Sequence, residues 1–144
     1  GVQTCALPIL GKKVALINFG ARLKECLIAE ESLSKKGINI SLIDARFCKP
    51  LDENLMWQIA NDHEIVISIE EGSIGGFGSH LGQFLNEKNL LDNNLKFRSM
   101  FLPDRFIDHD KPETMYKFAG LDSLNIETKI LDTLNSKVIV KKSN

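Results

Sequence analysis

The feature that most constrains the fold is a series of short apolar runs, two of which are apolar on both faces of an extended chain. Four runs stand out along the sequence: 13–19 (KVALINF), 38–44 (INISLID), 64–69 (EIVISI) and 95–102 (LKFRSMFL). A strand that is apolar on both faces is buried on both, which is typical of a parallel sheet covered by helices. We predict four strands at these positions.

Between these runs, apolar residues recur at helical spacing. In the first such segment Leu23, Cys26 and Leu33 fall near one face, and Gly37 is placed to end the helix. Further helices are predicted from Asp52 onward, through residues 81–85, near residues 112–119, and over residues 122–134. Strands that alternate with helices in this way predict a three-layer αβα fold, with a mostly parallel sheet of four to five strands and right-handed crossovers.

The length and charge of the chain limit what it can bind. Its 144 residues are enough for one domain with a sizeable core. A net charge of −1 gives no overall field that attracts nucleic acid or an anionic membrane. No apolar run approaches the ~20 residues that span a bilayer. The three cysteines (Cys5, Cys26 and Cys48) form no C-x-x-C pair, which favours reduced thiols in a cytoplasmic protein.

The first residues are unusual for a natural start. Residues 1–9 (GVQTCALPI) lack an initiator methionine and the features of a signal peptide. The string matches the in-frame translation of a common sequencing-library adapter, so we expect residues 1–9 not to be native and Cys5 to have no functional role. We expect the natural chain to continue upstream, the domain to span residues 10–136, and the polar tail 137–144 to be frayed.

The densest group of candidate functional residues follows the third apolar run. Residues 70–79 read EEGSIGGFGS, and a strand followed by glycines and a helix is the arrangement that cradles phosphate on backbone N–H groups. The run lacks the third glycine of the dinucleotide-binding fingerprint and the Gly-Lys-Ser/Thr of a P-loop. The carboxylates of Glu70 and Glu71 would also repel an anion. We therefore favour glycines that let the backbone turn tightly and pack close to a neighbour.

Charged side chains near the ends of the predicted strands are candidates for catalytic roles. Glu70 and Glu71 are adjacent strand residues that point to opposite faces, which disfavours an acid–base pair sharing one proton. Asp104 and Arg105 follow the fourth run, where core packing does not require them. Arg105 can pair with Asp104, hold a partner's carboxylate or reach a substrate phosphate, and a structural salt bridge is the commonest of these roles. The three histidines show no spacing typical of a metal site.

Five segments together resemble a known family. They are N-F-G at 18–20, D-x-R-F-x-K-P-L-D at 44–52, E-E-x-x-x-G-G-x-G-S at 70–79, and the pair L-P-D-R-F-I at 102–107 with G-L-D-x-x-x-I at 120–126. Their order and spacing are similar to those of transketolase C-terminal domains. The last pair resembles the 1-deoxy-D-xylulose-5-phosphate synthase family in particular. The resemblance runs from about residue 12 to residue 134.

The resemblance implies an enzyme larger than this chain. Such synthases condense pyruvate with glyceraldehyde 3-phosphate, lose carbon dioxide and feed isoprenoid and thiamine synthesis. Their cofactors are thiamine diphosphate and a divalent metal, usually magnesium, and the thiamine carries the difficult chemistry. In the family these cofactors are held by upstream domains, so no catalytic, cofactor-binding or metal-binding residue is expected here, and the chain alone is expected to be inactive.

For this chain the resemblance implies packing against upstream domains of the same polypeptide and assembly with a second identical chain into a homodimer. The expected interface or active-site-entrance residues are Glu70, Glu71, Gly75, Gly76, Asp104 and Arg105. Three further interpretations stay open: a transketolase, the β-subunit of a 2-oxo-acid dehydrogenase, and a free-standing α/β binding module.

Overall fold

The computed structural model describes residues 13–136 in full and residues 5–7 as backbone. These ranges hold ten elements in chain order: β1 (Cys5–Leu7), β2 (Val14–Phe19), α1 (Leu23–Lys35), β3 (Ile40–Ala45), α2 (Glu53–Asp62), β4 (Ile65–Glu70), α3 (Phe77–Glu87), β5 (Lys96–Met100), α4 (Pro112–Phe118) and α5 (Ser123–Asn135). Strands and helices alternate along most of the chain, as the apolar pattern predicted.

The strands form one sheet in the order β1-β3-β2-β4-β5. β2 pairs in parallel with both β3 and β4, and β4 pairs in parallel with β5, whereas β1 is antiparallel to β3 at the edge. The predicted α/β fold with a mostly parallel sheet is confirmed. The chain passes from β3 on one side of β2 to β4 on the other, so the strand order reverses between β2 and β4.

Each face of the sheet has its own hydrophobic core, which explains why β2 is apolar on both faces. Val14 and Leu16 belong to the core under α1 and α5, while Ala15 and Ile17 belong to the core under α2 and α3. All four side chains are completely buried. Burial of a Leu or Ile side chain stabilises a fold by about 1.5–3 kcal/mol, so this one strand contributes to the stability of both layers.

The helix ends follow the caps that the sequence carries. Asp52 caps α2 and Asp122 caps α5, because each carboxylate accepts a hydrogen bond from the backbone N–H three residues later, at 3.1 and 3.0 Å. Gly37 and Gly120 follow α1 and α4 with φ of 78° and 77°. Glycine enters this left-handed region without strain, so the chain can turn sharply there.

Two strands are shorter than the apolar runs that predicted them. β3 begins at Ile40, because the N–H of Ile38 donates to the carbonyl of Leu33 at 2.9 Å and so belongs to the end of α1. β5 ends at Met100, because the N–H of Leu102 donates to the carbonyl of Gly72 at 2.9 Å instead of continuing the ladder. This bond joins the loops that follow β4 and β5.

Some predictions concern the termini. The tail 137–144, predicted to be frayed, lies outside the described residues. Of residues 1–9, only Cys5–Leu7 is described, paired with β3 opposite residues 42–44. Any extended segment can pair through its backbone with an open sheet edge, so the origin of residues 1–9 stays a prediction. Within the described ranges, no helix is long and apolar enough to cross a membrane.

Candidate functional site

The loops at the carboxyl ends of the parallel strands form one edge of the sheet, called here the carboxyl edge. They comprise residues 20–22, 46–52, 71–76 and 101–111. Ligands of open α/β sheets bind at this edge, where the strand order reverses. Of the six residues predicted for an interface or entrance, Glu70 ends β4, and the other five lie in the loops after β4 and β5.

The carboxylate of Glu70 occupies the N-terminus of α3. Glu70 ends β4 and is buried. Its Oε1 accepts from the N–H of Phe77 at 3.0 Å, and its Oε2 accepts from the N–H of Gly78 at 2.6 Å. The first N–H groups of a helix have no partner within it and favour negative charge. The chain's own carboxylate therefore takes the position that an anion would occupy.

The glycines of this turn make room for that carboxylate. A Cβ atom on Gly76 would lie 2.0 Å from Oε1 of Glu70, and one on Gly72 would lie 2.7 Å from it. A Cβ on Gly78 would lie 2.9 Å from side chains of β4 and β5. Gly75 has open space but a φ of 100°. This geometry matches the interpretation that the glycines allow a tight turn and close packing.

Glu71 contacts two other parts of the chain, the loop after β2 and helix α4. Its Oε1 accepts from the N–H of Ala21 at 2.9 Å, and the Tyr116 hydroxyl donates to its Oε2. The Arg22 guanidinium lies 3.5 Å over the Tyr116 ring, with its Nε 4.0 Å from Glu71 Oε1. The hydrogen bond to the Glu71 carboxylate raises the pKa of Tyr116, because it favours the protonated phenol. The two glutamates do not share a proton, as expected of adjacent strand residues.

A buried amide lies beside this cluster, at the end of β2. The Nδ2 of Asn18 donates to the carbonyl of Gly20 at 2.9 Å and to Oδ1 of Asp44 at 2.7 Å. Its Oδ1 has no hydrogen-bond partner among the described residues. These bonds connect the ends of β2 and β3, so the N-F-G segment and the D-x-R-F segment meet in space.

Asp104 and Arg105 are exposed and do not form the local pair considered from the sequence. The Arg105 guanidinium instead donates to the carbonyl of Phe118 at 2.8 Å and lies 4.4 Å over the Phe118 ring. A cation that binds a late helix carbonyl stabilises that helix end. Arg105 therefore fastens the loop after β5 to the end of α4.

The described residues include no group of three or more His, Cys, Asp or Glu that could hold a metal ion. His63 is bonded within the fold, through Nε2 with Ser41 Oγ and through Nδ1 with the carbonyl of Ile59, each at 2.8 Å. Burial raises the pKa of the Cys26 thiol to about 12 and also raises that of Cys48. Neither environment favours the reactive thiolate.

The comparison with family models decides the affiliation. The model of the transketolase C-terminal domain matches residues 7–126. The chain belongs to this family. The transketolase C-terminal domain here has the carboxyl edge described above, with Glu70 and Glu71 bound within the domain.

Solved transketolases share the fold. A structure described as "Split gene transketolase, inactive beta4 tetramer" superposes with a TM-score of 0.82 at 24% identity, over 94% of this chain and 43% of that chain. A Pichia stipitis transketolase in complex with sedoheptulose 7-phosphate has a TM-score of 0.63 at 15% identity, over 92% of this chain and 18% of that chain. This transketolase C-terminal domain therefore spans less than half of the first chain and less than a fifth of the second.

Arg22 and Tyr116 belong to the site but were not predicted from the sequence. Arg22 could have been found, because it follows the end of β2 and must lie beside the end of β4 in a sheet of this order. Tyr116 lies 45 residues after Glu71 on a short helix. No local pattern relates the two, so this contact depends on the folded chain.

Proposed function

We propose that this transketolase C-terminal domain is part of a 1-deoxy-D-xylulose-5-phosphate synthase. Such an enzyme joins pyruvate to glyceraldehyde 3-phosphate, releases carbon dioxide and forms a precursor of isoprenoids and thiamine. The observation that carries the proposal is the pair of segments 102–107 and 120–126, which resemble that family, in a chain of this fold.

The contacts of these two segments support their use as a single motif. Gly120 turns the chain after α4, and both Leu121 and Ile126 are completely buried. Arg105 of the first segment holds the carbonyl of Phe118, two residues before the second segment. Both segments therefore lie at the end of α4.

In the proposed enzyme the domain contributes packing and assembly, while catalysis takes place in upstream domains. Gly75, Asp104 and Arg105 are exposed and available to a neighbouring domain or a second chain. Glu70 and Glu71 are engaged inside the domain, so their proposed part is to hold the loops in shape. We also propose a cytoplasmic location, which agrees with the free thiols of Cys26 and Cys48 in the described region.

We assign thiamine diphosphate and magnesium to the upstream domains of the parent enzyme. When bound there, the thiamine supplies the carbanion chemistry. The glycine turn does not fit a diphosphate, because the amides that would receive it already bind the carboxylate of Glu70. We therefore expect the 144-residue chain to show no heat of binding when titrated with thiamine diphosphate and magnesium. Tight binding would contradict this assignment.

The experiment for the proposed function uses the full-length product of the natural gene. With pyruvate, glyceraldehyde 3-phosphate, thiamine diphosphate and magnesium, it should form 1-deoxy-D-xylulose 5-phosphate with release of one carbon dioxide per product. Transfer of a two-carbon unit between sugar phosphates, without decarboxylation of pyruvate, would replace the proposal by a transketolase.

A transketolase is the second candidate, favoured by the fold shared with solved transketolases. A 2-oxo-acid dehydrogenase β-subunit and a free-standing α/β binding module are the third and fourth candidates. Sequencing the natural gene upstream of Lys12 separates an enzyme from a module. An open frame encoding further domains supports an enzyme of this family, and a start codon close to Lys12 supports the free-standing module.

A further inference from the structure

The most exposed large apolar side chains of the carboxyl edge lie in its joined loops and on α4. Phe106 is 87% exposed, and Ile74 and Phe118 are also largely exposed. Ile74 and Phe106 belong to the loops that the Leu102–Gly72 hydrogen bond joins. Exposed apolar side chains grouped in this way mark a site of contact with another protein surface.

A small cleft lies between the loop after β5 and α4. Its volume is about 190 Å³, and its apolar lining comes from Phe106, Ile107, Met115 and Phe118. Pockets for small organic ligands are typically about 300–1,000 Å³, so this cleft is too small for such a ligand. It matches the size of one large apolar side chain, and an apolar or aromatic anchor in a fitted pocket is the usual centre of a protein interface.

The polar side chains that line the cleft include two aspartates, Asp108 and Asp110, with His109 between them. A complementary partner therefore presents a basic group next to its apolar anchor. A two-fold dimer with its axis at this cleft would bring each aspartate pair close to its own copy, and like charges across an interface are unfavourable. The charge thus disfavours a second copy of the chain as the occupant.

The related chains are much longer than this one, so a parent polypeptide of that length has further parts that can dock on the cleft. This chain spans 43% of the split transketolase chain and 18% of the Pichia stipitis chain. We propose that the cleft between the loop after β5 and α4 receives an apolar side chain flanked by a basic residue, both from the upstream part of the same polypeptide. This inference rests on the proposed function, because it requires that the parent protein contains upstream domains.

Hydrogen exchange measured by mass spectrometry tests the inference on the full-length gene product and on the 144-residue chain. In the full-length protein, amides of residues 104–118 should exchange at least about tenfold more slowly than in the chain alone. Amides of α2, on another surface, should exchange equally in both. Equal exchange of residues 104–118 in the two proteins would overturn the proposal.

A matched pair of variants separates docking from folding. Phe106→Ser in the full-length protein should return residues 104–118 to fast exchange, and so should the double charge reversal Asp108→Lys with Asp110→Lys. Trp57→Ser, at another exposed aromatic on α2, should leave this exchange unchanged. Since Phe106 is exposed, Phe106→Ser should not change the melting temperature of the 144-residue chain. An unchanged melting temperature would show that the variant domain still folds.

Two further outcomes would also overturn the inference. One is protection of residues 104–118 in the 144-residue chain that grows with its concentration, because the occupant would then be a second copy. The other is a natural gene that encodes no upstream region. The proposed function is tested by a different measurement. If the cleft is protected in the full-length protein but that protein forms no 1-deoxy-D-xylulose 5-phosphate, the proposed function fails and the inference about the cleft stands.

Discussion

At the scale of single residues, the carboxylate of Glu70 determines what the glycine-rich turn can do. A helix N-terminus preceded by glycines attracts an anion, and here that anion is the last residue of the preceding strand. Gly72 and Gly76 lack the Cβ atoms that would collide with it. The same residue types that form a phosphate site in other proteins thus form a rigid, occupied turn.

Replacing Glu70 should destabilise the domain. In Glu70→Ala the N–H groups of Phe77 and Gly78 lose a charged acceptor in a buried setting, which should lower the free energy of unfolding by about 2–4 kcal/mol. Glu70→Gln keeps one acceptor oxygen and should cost less. Urea unfolding followed by circular dichroism measures both. Glu31→Gln, which removes an exposed pair with Lys35, is the control and should leave the unfolding midpoint nearly unchanged.

The two neighbouring glycines should respond to alanine for different reasons. Gly76→Ala places a methyl group against the Glu70 carboxylate, so it should displace that group and cost at least about 2 kcal/mol. Gly75→Ala meets no atom but must hold a positive φ, which costs about 1–2 kcal/mol. Gly76→Ala should displace the Glu70 carboxylate and so break its hydrogen bonds, which Glu70→Ala also removes. The losses in unfolding free energy of these two variants should therefore not add in the double variant, whereas those of Gly75→Ala and Glu70→Ala should add. Full additivity of that double variant, measured by urea unfolding, would contradict the contact.

At the scale of elements, polar contacts from two loops help to hold the short helix α4. It has seven residues, none of them fully buried, and an isolated helix of this length is unstable in water. Tyr116 attaches α4 to Glu71 and Arg22, and Arg105 holds its last turn through Phe118. These contacts give α4 its position on the carboxyl edge.

The Tyr116–Glu71 hydrogen bond should make the stability of the domain depend on pH in the alkaline range. The pKa of Tyr116 is raised in the folded state, so its stabilising contribution is complete below the ordinary tyrosine pKa of about 10 and is lost as pH rises through the raised pKa. Tyr116 is the only tyrosine in the chain, so ultraviolet absorbance of tyrosinate reports it alone. Glu71→Gln should move the titration midpoint downward.

The control for this titration is Glu64→Gln, which makes the same charge change at the opposite edge of the sheet. It should leave the Tyr116 midpoint where it is in the unchanged protein. An equal shift in both variants would mean that overall charge, rather than the hydrogen bond, raises the pKa of Tyr116.

The elements themselves were largely predictable, because burial on two faces leaves a pattern in the sequence. β2 and β4 are apolar on both faces since each lies between two helical layers. Strand ends were less predictable, since the N–H of Leu102 could continue the ladder or bond to Gly72, and only the folded loops decide this. Strand β1 was not predicted, because a short edge strand needs no particular side-chain pattern.

At the scale of the whole molecule, the two helical layers share the central strands of one sheet. β2 and β4 contribute side chains to both cores. If the helices on one face unfold, apolar side chains of these strands are exposed, and the same strands support the helices on the opposite face. The position of the carboxyl edge could be inferred from the sequence, because the carboxyl ends of parallel strands lie at the same edge of a sheet. The contacts among Arg22, Glu71 and Tyr116 could not, because they join three elements that are distant in the chain.

This coupling predicts that both layers unfold in one transition. Cys26 is completely buried in the core under α1 and α5, and its thiol pKa is about 12, so alkylation should require unfolding. Trp57 lies on α2, in the other layer. In a background with Cys5→Ser and Cys48→Ser, which leaves Cys26 as the only thiol, the urea dependence of Cys26 alkylation and of Trp57 fluorescence should share one midpoint. Labelling of Cys26 at distinctly lower urea would show instead that the α1/α5 layer opens separately, and the shared strands would then not couple the two cores.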